Sequence, residues 1–331
     1  MEALTSLVKR RNTINEQFIK VYDFFQQQGF VPADQASYPI FKGYEQDSRL
    51  QERSAAIIAS WSIEFNGLYK IISGYLCSVY FFRDSPVYFI IHRPQGSVAY
   101  SLQQIVDRLY DLVRSIGLPA LRVFAVEDRF LKEYKAINGY DIQVEYKEKN
   151  SAYVYRTKDL LELSGSINYY KRKRLKNFLD NPSVSLHPLT KANVHLCLEI
   201  EKQWCKAQDC EYCESFCGCE KKALGIMVSL FDERVQKGLL CYYEGIPAGY
   251  IICEKGNTEV AFLYFGKGII PGLFVYLIYT MFSRYITDAE YMDINDDMGN
   301  SGLRQFKSHL SAHELWRKYL CTFTKAGKQS L

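Results

Sequence analysis

The chain has 331 residues, enough for two ordinary domains or one large one. Hydrophobic residues make up 48% and charged residues 24%, which excludes a disordered, collagen-like or low-complexity protein. The formal net charge of +4 is too small for a protein that coats nucleic acid, so DNA is not an expected partner. No window of about 18 uncharged apolar residues occurs, and residues 1–20 lack the apolar core of a secretory signal. We therefore expect a cytoplasmic chain without a transmembrane segment.

The first half of the chain alternates short apolar strands with turns. The predicted elements, in chain order, are strands at 69–72, 75–82 and 87–91, a helix at 102–116 and a strand at 121–126. The loop Arg93-Pro94-Gln95-Gly96 separates the third strand from the helix, and Gly117 and Pro119 end the helix.

The second half repeats this order of elements. Its predicted elements are strands at 239–243, 249–254 and 259–265, a loop with Gly266, Gly268, Pro271 and Gly272, a helix at 273–285 and a strand at 290–294. The two units begin 170 residues apart, at residues 69 and 239. We therefore predict a duplicated α/β (α+β) protein, with domains at 1–150 and 151–331 and a boundary near the polar run 147–150.

A three-stranded meander followed by a loop, a helix and a further strand is the central part of the GNAT (N-acetyltransferase-like) fold. We therefore expect two tandem GNAT-like domains, each with a mixed central sheet flanked by helices. In that fold the loop before the helix presents backbone N–H groups to a phosphate-bearing donor. Neither loop here matches the usual coenzyme A pattern Arg/Gln-x-x-Gly-x-Gly/Ala. Anion binding at Gly266, Gly268 and Gly272 and an ordinary turn both remain open, and at residues 93–96 we favour an ordinary turn.

A basic segment opens the second half. Residues 169–179 read Tyr-Tyr-Lys-Arg-Lys-Arg-Leu-Lys-Asn-Phe-Leu and predict a helix whose apolar stripe is Leu175, Phe178 and Leu179. Three cations lie on or beside that stripe: Lys171, Arg172 and Arg174. Cations at the edge of a core are costly unless an anion meets them, which favours a phosphate or carboxylate site. A solvated charge run whose side-chain stems cover the core is the alternative.

A second polar cluster follows the last strand of the second unit. The run 293–297 reads Asp-Ile-Asn-Asp-Asp, and the helix predicted after Gly299 carries Arg304 and Lys307 in its first turns. Ligands bind at strand ends in α/β sheets, and neighbouring acids raise one another's pKa toward the range that suits proton abstraction. We assign Asp296 and Asp297 as candidate bases, Arg304 as a candidate catalytic cation, and Asn295 and Lys307 as candidate binding residues. Turn and helix-capping contacts are the alternative role for Asn295, Asp296 and Asp297.

Ten cysteines without a signal sequence indicate a reducing compartment. Five of them form one cluster: Cys205, Cys210, Cys213, Cys217 and Cys219. Thiolates at this density could hold zinc or an iron–sulfur cluster. Only one Cys-x2-Cys pair is present, so thiols without a metal are the alternative interpretation. There is no Ser-His-Asp, Walker or His-Glu-x-x-His pattern in the chain.

Several segments of the chain resemble a bacterial family of unknown function that is related to the C-terminal domain of phosphatidylglycerol lysyltransferase. The segments that carry the resemblance are 155–165, 171–178, 60–61, 69–74, Trp204 with its cysteine-bearing loop, and the late motif Asp297-Met298-Gly299 with Gly302-Leu303-Arg304 and Lys307. The family has tandem GNAT-like halves, in agreement with the duplication. It tends to have Asn-Arg-Glu where this chain has Asp293-Ile294-Asn295.

The resemblance implies a transferase that moves an acyl or aminoacyl group from an activated donor, acyl-CoA or aminoacyl-tRNA, to an amine or hydroxyl acceptor. The expected partners are that donor and, with it, tRNA or a phospholipid head group. Lys171, Arg172, Arg174 and the glycine loop would hold the donor, and Arg304 and Lys307 would neutralise a phosphate or oxyanion. The alternative is a non-catalytic binding or metal-sensing module on the same fold.

Overall fold

A computed structural model describes residues 16–45, 49–82, 85–94, 96, 100–165, 168–207, 220–256, 259–310 and 312–327. The elements of the first half are α1 (Glu16–Gln27), β1 (Val31–Pro32), α2 (Tyr38–Lys42), α3 (Ala55–Phe65), β2 (Leu68–Ile72), β3 (Tyr75–Phe82), β4 (Ser85–His92), α4 (Leu102–Ser115), β5 (Leu121–Glu127), α5 (Asp128–Lys135) and β6 (Tyr140–Tyr146). A 3-10 turn, Gln51–Arg53, precedes α3.

The second half follows the same plan. Its elements are β7 (Ala152–Arg156), α6 (Thr157–Glu162), α7 (Tyr169–Leu179), β8 (Val184–Pro188), α8 (Leu196–Ala207), α9 (Glu220–Leu230), β9 (Gln236–Tyr243), β10 (Ile246–Lys255), β11 (Val260–Gly268), α10 (Leu273–Arg284), β12 (Tyr291–Asp293), α11 (Ser301–His309), β13 (Glu314–Trp316) and β14 (Lys318–Lys325). Every strand and helix of the predicted repeat is present, with ends displaced by at most three residues.

Two details of the prediction are wrong. The strand expected to end at residue 265 runs on through Gly268, so Gly266 and Gly268 lie in β11 and not in a loop. They are pressed against α10, since a Cβ at Gly266 would lie 2.4 Å from the ring of Phe274. Leu179 is not part of the apolar stripe of α7, because it is at the end of the helix and 43% exposed.

Each half builds a seven-stranded sheet with the same order of strands. The first sheet runs β1-β2-β3-β4-β5-β14-β6, and the second runs β8-β9-β10-β11-β12-β7-β13. The parallel neighbours are β4 with β5 and β11 with β12. The sixth place in the second sheet is filled by β7 of the same half, whereas the sixth place in the first sheet is filled by β14 of the second half. The second half therefore contributes one strand to the first sheet.

The two halves also share hydrophobic cores. One hydrophobic cluster fills the first sheet against α1 and α4, and another fills the second sheet against α10. A third cluster joins Ala56 and Ile57 of α3 to α8, α9 and the other face of the second sheet. A smaller one joins Tyr80, Ile90 and Ala125 of the first sheet to Ala152 and Val154 of β7. Apolar burial therefore holds the two halves together, in addition to the pairing of β14 with the first sheet.

The contact of β11 with α10 makes Gly266 sensitive to substitution. We expect Gly266→Ala to lower the free energy of unfolding by about 1–3 kcal/mol, because the added methyl group meets the Phe274 ring. The matched control is Gly225→Ala in α9, where no atom lies within 4 Å of the position that a Cβ would take. That change should leave stability unaltered or raise it by up to about 1 kcal/mol. Urea denaturation of both variants is the measurement, and equal effects would contradict the assigned packing.

Candidate functional site

The second sheet opens at the end of β12. The parallel strands β11 and β12 pair over three residues only, from Val260 with Tyr291 to Phe262 with Asp293. Beyond this point β11 continues to Gly268, while the chain after Asp293 turns away through Asn295, whose φ is 60°. The segment 293–297 therefore lies where two parallel strands part, at their carboxyl ends, which is where α/β sheets bind ligands.

The corresponding gap in the first sheet is filled by a protein side chain. β4 and β5 pair at a single position, Phe89 with Val123. The buried guanidinium of Arg53 donates to the carbonyl of Ile91 in β4 at 2.9 Å and to that of Ala125 in β5 at 2.9 Å. The first sheet thus closes its own gap, and the candidate site lies in the second half.

A buried ammonium group organises the site. Lys318, the first residue of β14, has a fully buried side chain that donates to Asn295 Oδ1 at 2.7 Å, to Asp296 Oδ2 at 3.0 Å and to Glu52 Oε1. Burial lowers the pKa of Lys318, but the charges of Asp296 and Glu52 outweigh it and hold the pKa above its ordinary value. Lys318 therefore stays charged and connects the first half to the segment 293–297.

Asp297 is engaged with Arg304. The carboxylate receives both Nε of Arg304, at 2.8 Å, and Nη2, at 3.1 Å, and also the hydroxyl of Tyr153 at 2.7 Å. Burial raises the pKa of Asp297, but the hydrogen bonds from Arg304 and Tyr153 outweigh it and bring the pKa to about 2. Such a carboxylate is a weak base at neutral pH, so this geometry suits Asp297 to positioning Arg304.

The hydrogen bonds of Lys307 are also structural. Its buried ammonium donates to the carbonyls of Ile294 at 2.5 Å, Asn295 at 3.1 Å and Asp296 at 2.6 Å. Burial lowers the pKa of Lys307 to about 8. These three bonds fix the backbone of the segment that carries the acids.

Some residues of the segment 293–300 make the turn and helix-capping contacts that were the alternative prediction for them. Asn295 Oδ1 accepts the N–H of Asp296, Asp297 Oδ1 accepts the N–H of Gly299, and Asn300 caps α11. Asp296 makes no such turn contact in the described structure; its side chain is 15% exposed and pairs with Lys318. Asp296 is therefore the candidate base that combines partial access with a defined position.

The basic helix α7 lies beside the start of α10. Gly272, with φ of 90°, precedes α10, and a Cβ there would lie 3.4 Å from Phe178 and 3.6 Å from the Arg174 side chain. Arg174 is exposed, as are Lys173 and Lys176. Among the residues that the structure describes, no carboxylate forms an ion pair with any of these three. One exposed cation of α7, Arg174, thus lies next to a helix N-terminus, where anions are favoured.

The other two cations of α7 have protein partners. Arg172 donates to the carbonyls of Leu163 at 2.5 Å and Gly165 at 2.7 Å, at the end of α6. Lys171 donates to Asn168 Oδ1 at 2.8 Å, and partial burial lowers the pKa of Lys171. Arg172 therefore has a structural role in addition to the donor-binding role predicted for it.

The cysteine cluster falls largely outside the described residues. Cys210, Cys213, Cys217 and Cys219 are in the segment 208–219, which the structure does not describe. The thiol of Cys205, in α8, donates to Glu201 Oε1 at 3.7 Å. Within the described ranges no group of three or more His, Cys, Asp or Glu side chains could hold a metal ion. The metal prediction for the cluster stays a prediction.

Four residues join the site without having been proposed for it: Glu52, Tyr153, Asp293 and Lys318. Asp293 gave a signal, an acid inside the apolar run 291–294, but it stood out as a departure from the family pattern. Glu52 and Lys318 gave none, because a charged residue in a loop or at the start of a strand is ordinary in sequence. Glu52 and Lys318 come close to the end of β12 only in the tertiary structure, in which β14 joins the first sheet.

Comparison with solved structures shows the fold. A conserved protein of unknown function from Bacteroides thetaiotaomicron VPI-5482 has a TM-score of 0.78 at 19% identity, covering 89% of this chain and 99% of that one. L-PGS from Bacillus licheniformis has a TM-score of 0.57 at 12% identity, covering 90% and 94%. FemX has a TM-score of 0.54 at 11% identity, covering 88% and 96%. The fold is therefore the tandem GNAT-like acyltransferase fold predicted from the sequence.

No curated protein sequence matches the chain. None of the helices described is both long and apolar enough to cross a bilayer. The model of the family described as phosphatidylglycerol lysyltransferase, C-terminal, matches residues 63–322, a range that includes the second sheet, most of the first sheet and the segment 293–297. The chain thus belongs to the phosphatidylglycerol lysyltransferase C-terminal family.

Proposed function

We propose that this chain is an aminoacyl- or acyltransferase whose site is the opening between β11 and β12 in the second half. The observation that carries the proposal is that the elements bordering this opening carry two charge types. The exposed cation Arg174 lies next to the start of α10, the helix that follows β11, and a partly accessible carboxylate, Asp296, follows β12. A phosphate-bearing donor requires the first, and removal of a proton from an acceptor amine or hydroxyl requires the second.

In this proposal the donor is aminoacyl-tRNA or acyl-CoA, and its phosphates lie against Arg174 and the N-terminus of α10. Lys171 and Arg172 border the same surface, and Gly272 allows the close approach of Arg174. Gly266 and Gly268 contribute by letting α10 pack onto β11. L-PGS and FemX share this fold, and a phosphatidylglycerol lysyltransferase acts on a phospholipid, so a lipid head group is a candidate acceptor.

The reaction needs no covalent enzyme intermediate. The acceptor nitrogen or oxygen attacks the donor carbonyl and its proton passes to the Asp296 carboxylate. The bond from the carbonyl carbon to the sulfur of coenzyme A or to the 3′ oxygen of tRNA then breaks, and the proton passes from Asp296 to that leaving atom. Arg304 is half exposed and faces developing negative charge while Asp297 holds its guanidinium in place. Asn295 and Lys307 shape the loop that presents Asp296.

Removal of the Arg174 charge should weaken donor binding. We expect Arg174→Ala to raise the donor Kd by about tenfold or more and to reduce the salt dependence of aminoacyl-tRNA binding by about one counterion. The control is Lys158→Ala on α6, an exposed lysine whose partner is Glu162. Filter binding of aminoacyl-tRNA and calorimetry with coenzyme A, each at several salt concentrations, distinguish the two donors. An unchanged Kd for whichever donor binds would reject the α7 site.

Asp296→Asn should slow transfer while donor binding persists. Loss of a positioned base lowers kcat by about 10²–10⁴-fold. Single-turnover assays can detect this loss, with whichever donor the binding measurements identify. Asp288→Asn is the matched control, because Asp288 is an exposed aspartate paired with Lys255 on the same half. Wild-type transfer rates in Asp296→Asn would remove Asp296 from the mechanism. Donor binding without any transfer in the wild-type chain would instead support the non-catalytic binding module.

A test of Arg304 must not leave the buried carboxylate of its ion-pair partner Asp297 without a compensating charge. Arg304→Ala alone leaves the carboxylate of Asp297, which is 1% exposed, without its partner and should cost about 1–3 kcal/mol of stability. The double change Arg304→Met with Asp297→Asn removes both charges together. We expect it to fold, by circular dichroism and thermal melting, and to lose most of the transfer rate. A fully active double variant would show that Arg304 acts only through structure.

A further inference from the structure

Asp293 is a fully buried acid with one carboxylate oxygen that lacks a hydrogen-bond partner among the described residues. It is the last residue of β12 and is 0% exposed. One oxygen, Oδ1, accepts the N–H of Asn295 at 2.6 Å. The other, Oδ2, is buried and has no hydrogen-bond partner among the described residues. A buried carboxylate in this condition has lost its hydration without compensation.

The two neighbouring ammonium groups have no donor left for Asp293. A lysine has three N–H donors. Those of Lys318 go to Glu52, Asn295 and Asp296, and those of Lys307 go to three backbone carbonyls. The hydrogen bonds that usually stabilise a buried ionised carboxylate are therefore already committed to other acceptors.

Glu52 also has one carboxylate oxygen without a hydrogen-bond partner among the described residues. Its Oε1 accepts from Lys318, but its Oε2 is buried and also lacks a hydrogen-bond partner within the described ranges. Glu52 belongs to the first half, in the 3-10 turn before α3, whereas Asp293 belongs to the second sheet. The charge of Glu52 acts on Asp293 more strongly than any other charged group does.

We propose that at slightly acidic pH Asp293 is protonated in the folded protein and donates that proton in a hydrogen bond to Glu52 Oε2, joining the two halves at the candidate site. One proton then satisfies both orphaned oxygens. The titratable and charged groups around Asp293 are Glu52 from the 3-10 turn, Lys318 from β14, Lys307 from α11, Tyr155 from β7, and Asp296 in the following loop.

The electrostatics agree with this assignment. Burial, and then the charge of Glu52, raise the pKa of Asp293 to about 7 even though Lys318 and Lys307 act in the opposite direction. In the unfolded chain the group has its ordinary pKa of about 3.9. The folded state therefore binds a proton that the unfolded state has released, and this contribution to stability is lost as pH rises from about 4 through about 7.

For transfer, this inference rests on the proposed function. Asp293 is fully buried and cannot touch a substrate, so it is a positioning residue that acts on Asp296 through Lys318. While Asp293 is neutral, Lys318 balances Glu52 and Asp296. When Asp293 ionises, a further negative charge enters the same buried cluster and competes with Asp296 for Lys318.

The test is Asp293→Asn in the full-length chain, followed by thermal melting between about pH 5 and pH 8.5. The asparagine amide is neutral and can donate to Glu52 as the protonated acid does. We expect the Tm of the variant to exceed that of wild type by about 2–4 °C at the alkaline end, with the difference shrinking toward pH 5. A variant that is less stable than wild type at the alkaline end, or a pH-independent difference, would overturn the proposal.

Asp297→Asn is the matched control. Because the pKa of Asp297 is about 2, this variant should lose stability equally at both ends of the pH range. If Asp293→Asn does not fold, infrared spectroscopy of the wild-type chain decides the matter. A carboxylic-acid C=O band that disappears as pH rises through about 7 supports the proposal, and its absence below that pH refutes it. Neither measurement uses a substrate, so failure here is separate from failure of the proposed reaction.

Discussion

The arrangement of the site depends on one buried cation. Lys318 begins a strand of the first sheet, yet it donates to Asn295 and Asp296 beside the second sheet and to Glu52 in the first half. Removal of one partner from a buried charge pair typically costs about 3–5 kcal/mol, because the remaining charge is then uncompensated. Lys318 therefore places the acids of β12 relative to the first half, and the first half becomes part of the site although its own sheet gap is filled by Arg53.

A second charged cluster joins the halves. Lys42 of α2 lies 2.5 Å from Glu45 and 2.5 Å from Glu254 of β10, and Gln236 of β9 donates to Glu254 at 2.9 Å. Glu254 and Glu45 are both buried, and burial raises the pKa of Glu45. These two sets of ion pairs, together with the apolar cluster that includes Ala56 and Ile57 of α3, fix how the two halves sit against each other.

The fold was accessible from the sequence because its signals are local. The apolar run over 75–82 and the spacing of apolar residues from Leu102 to Ile116 depend only on neighbouring residues, and both elements are present. The continuation of β11 through Gly268 was missed because glycines there allow a helix to approach a strand, whereas in sequence they suggest a turn. The entry of β14 into the first sheet has no local signal at all, since it concerns which of two similar sheets a strand joins.

The site was only partly accessible for the same reason. The polar run 293–297 and the helix after it predicted that Asp296, Asp297, Arg304 and Lys307 lie near one strand end, but what each side chain does there depends on distances that the sequence does not give. Asp297 and Arg304 satisfy each other, and Lys307 holds backbone. Glu52 and Lys318 lie 266 residues apart in the chain, so their meeting could be found only from the tertiary structure.

The place of β14 in the first sheet also constrains how the chain is synthesised. β14 lies between β5 and β6, so Cys321 pairs with both Val123 and Val144, nearly two hundred residues earlier. A ribosome releases the first half long before β14 emerges, and until then β5 and β6 each have an exposed, unpaired edge that invites aggregation. Contacts this distant in sequence also form slowly. The first sheet is therefore completed only after β14 has been translated.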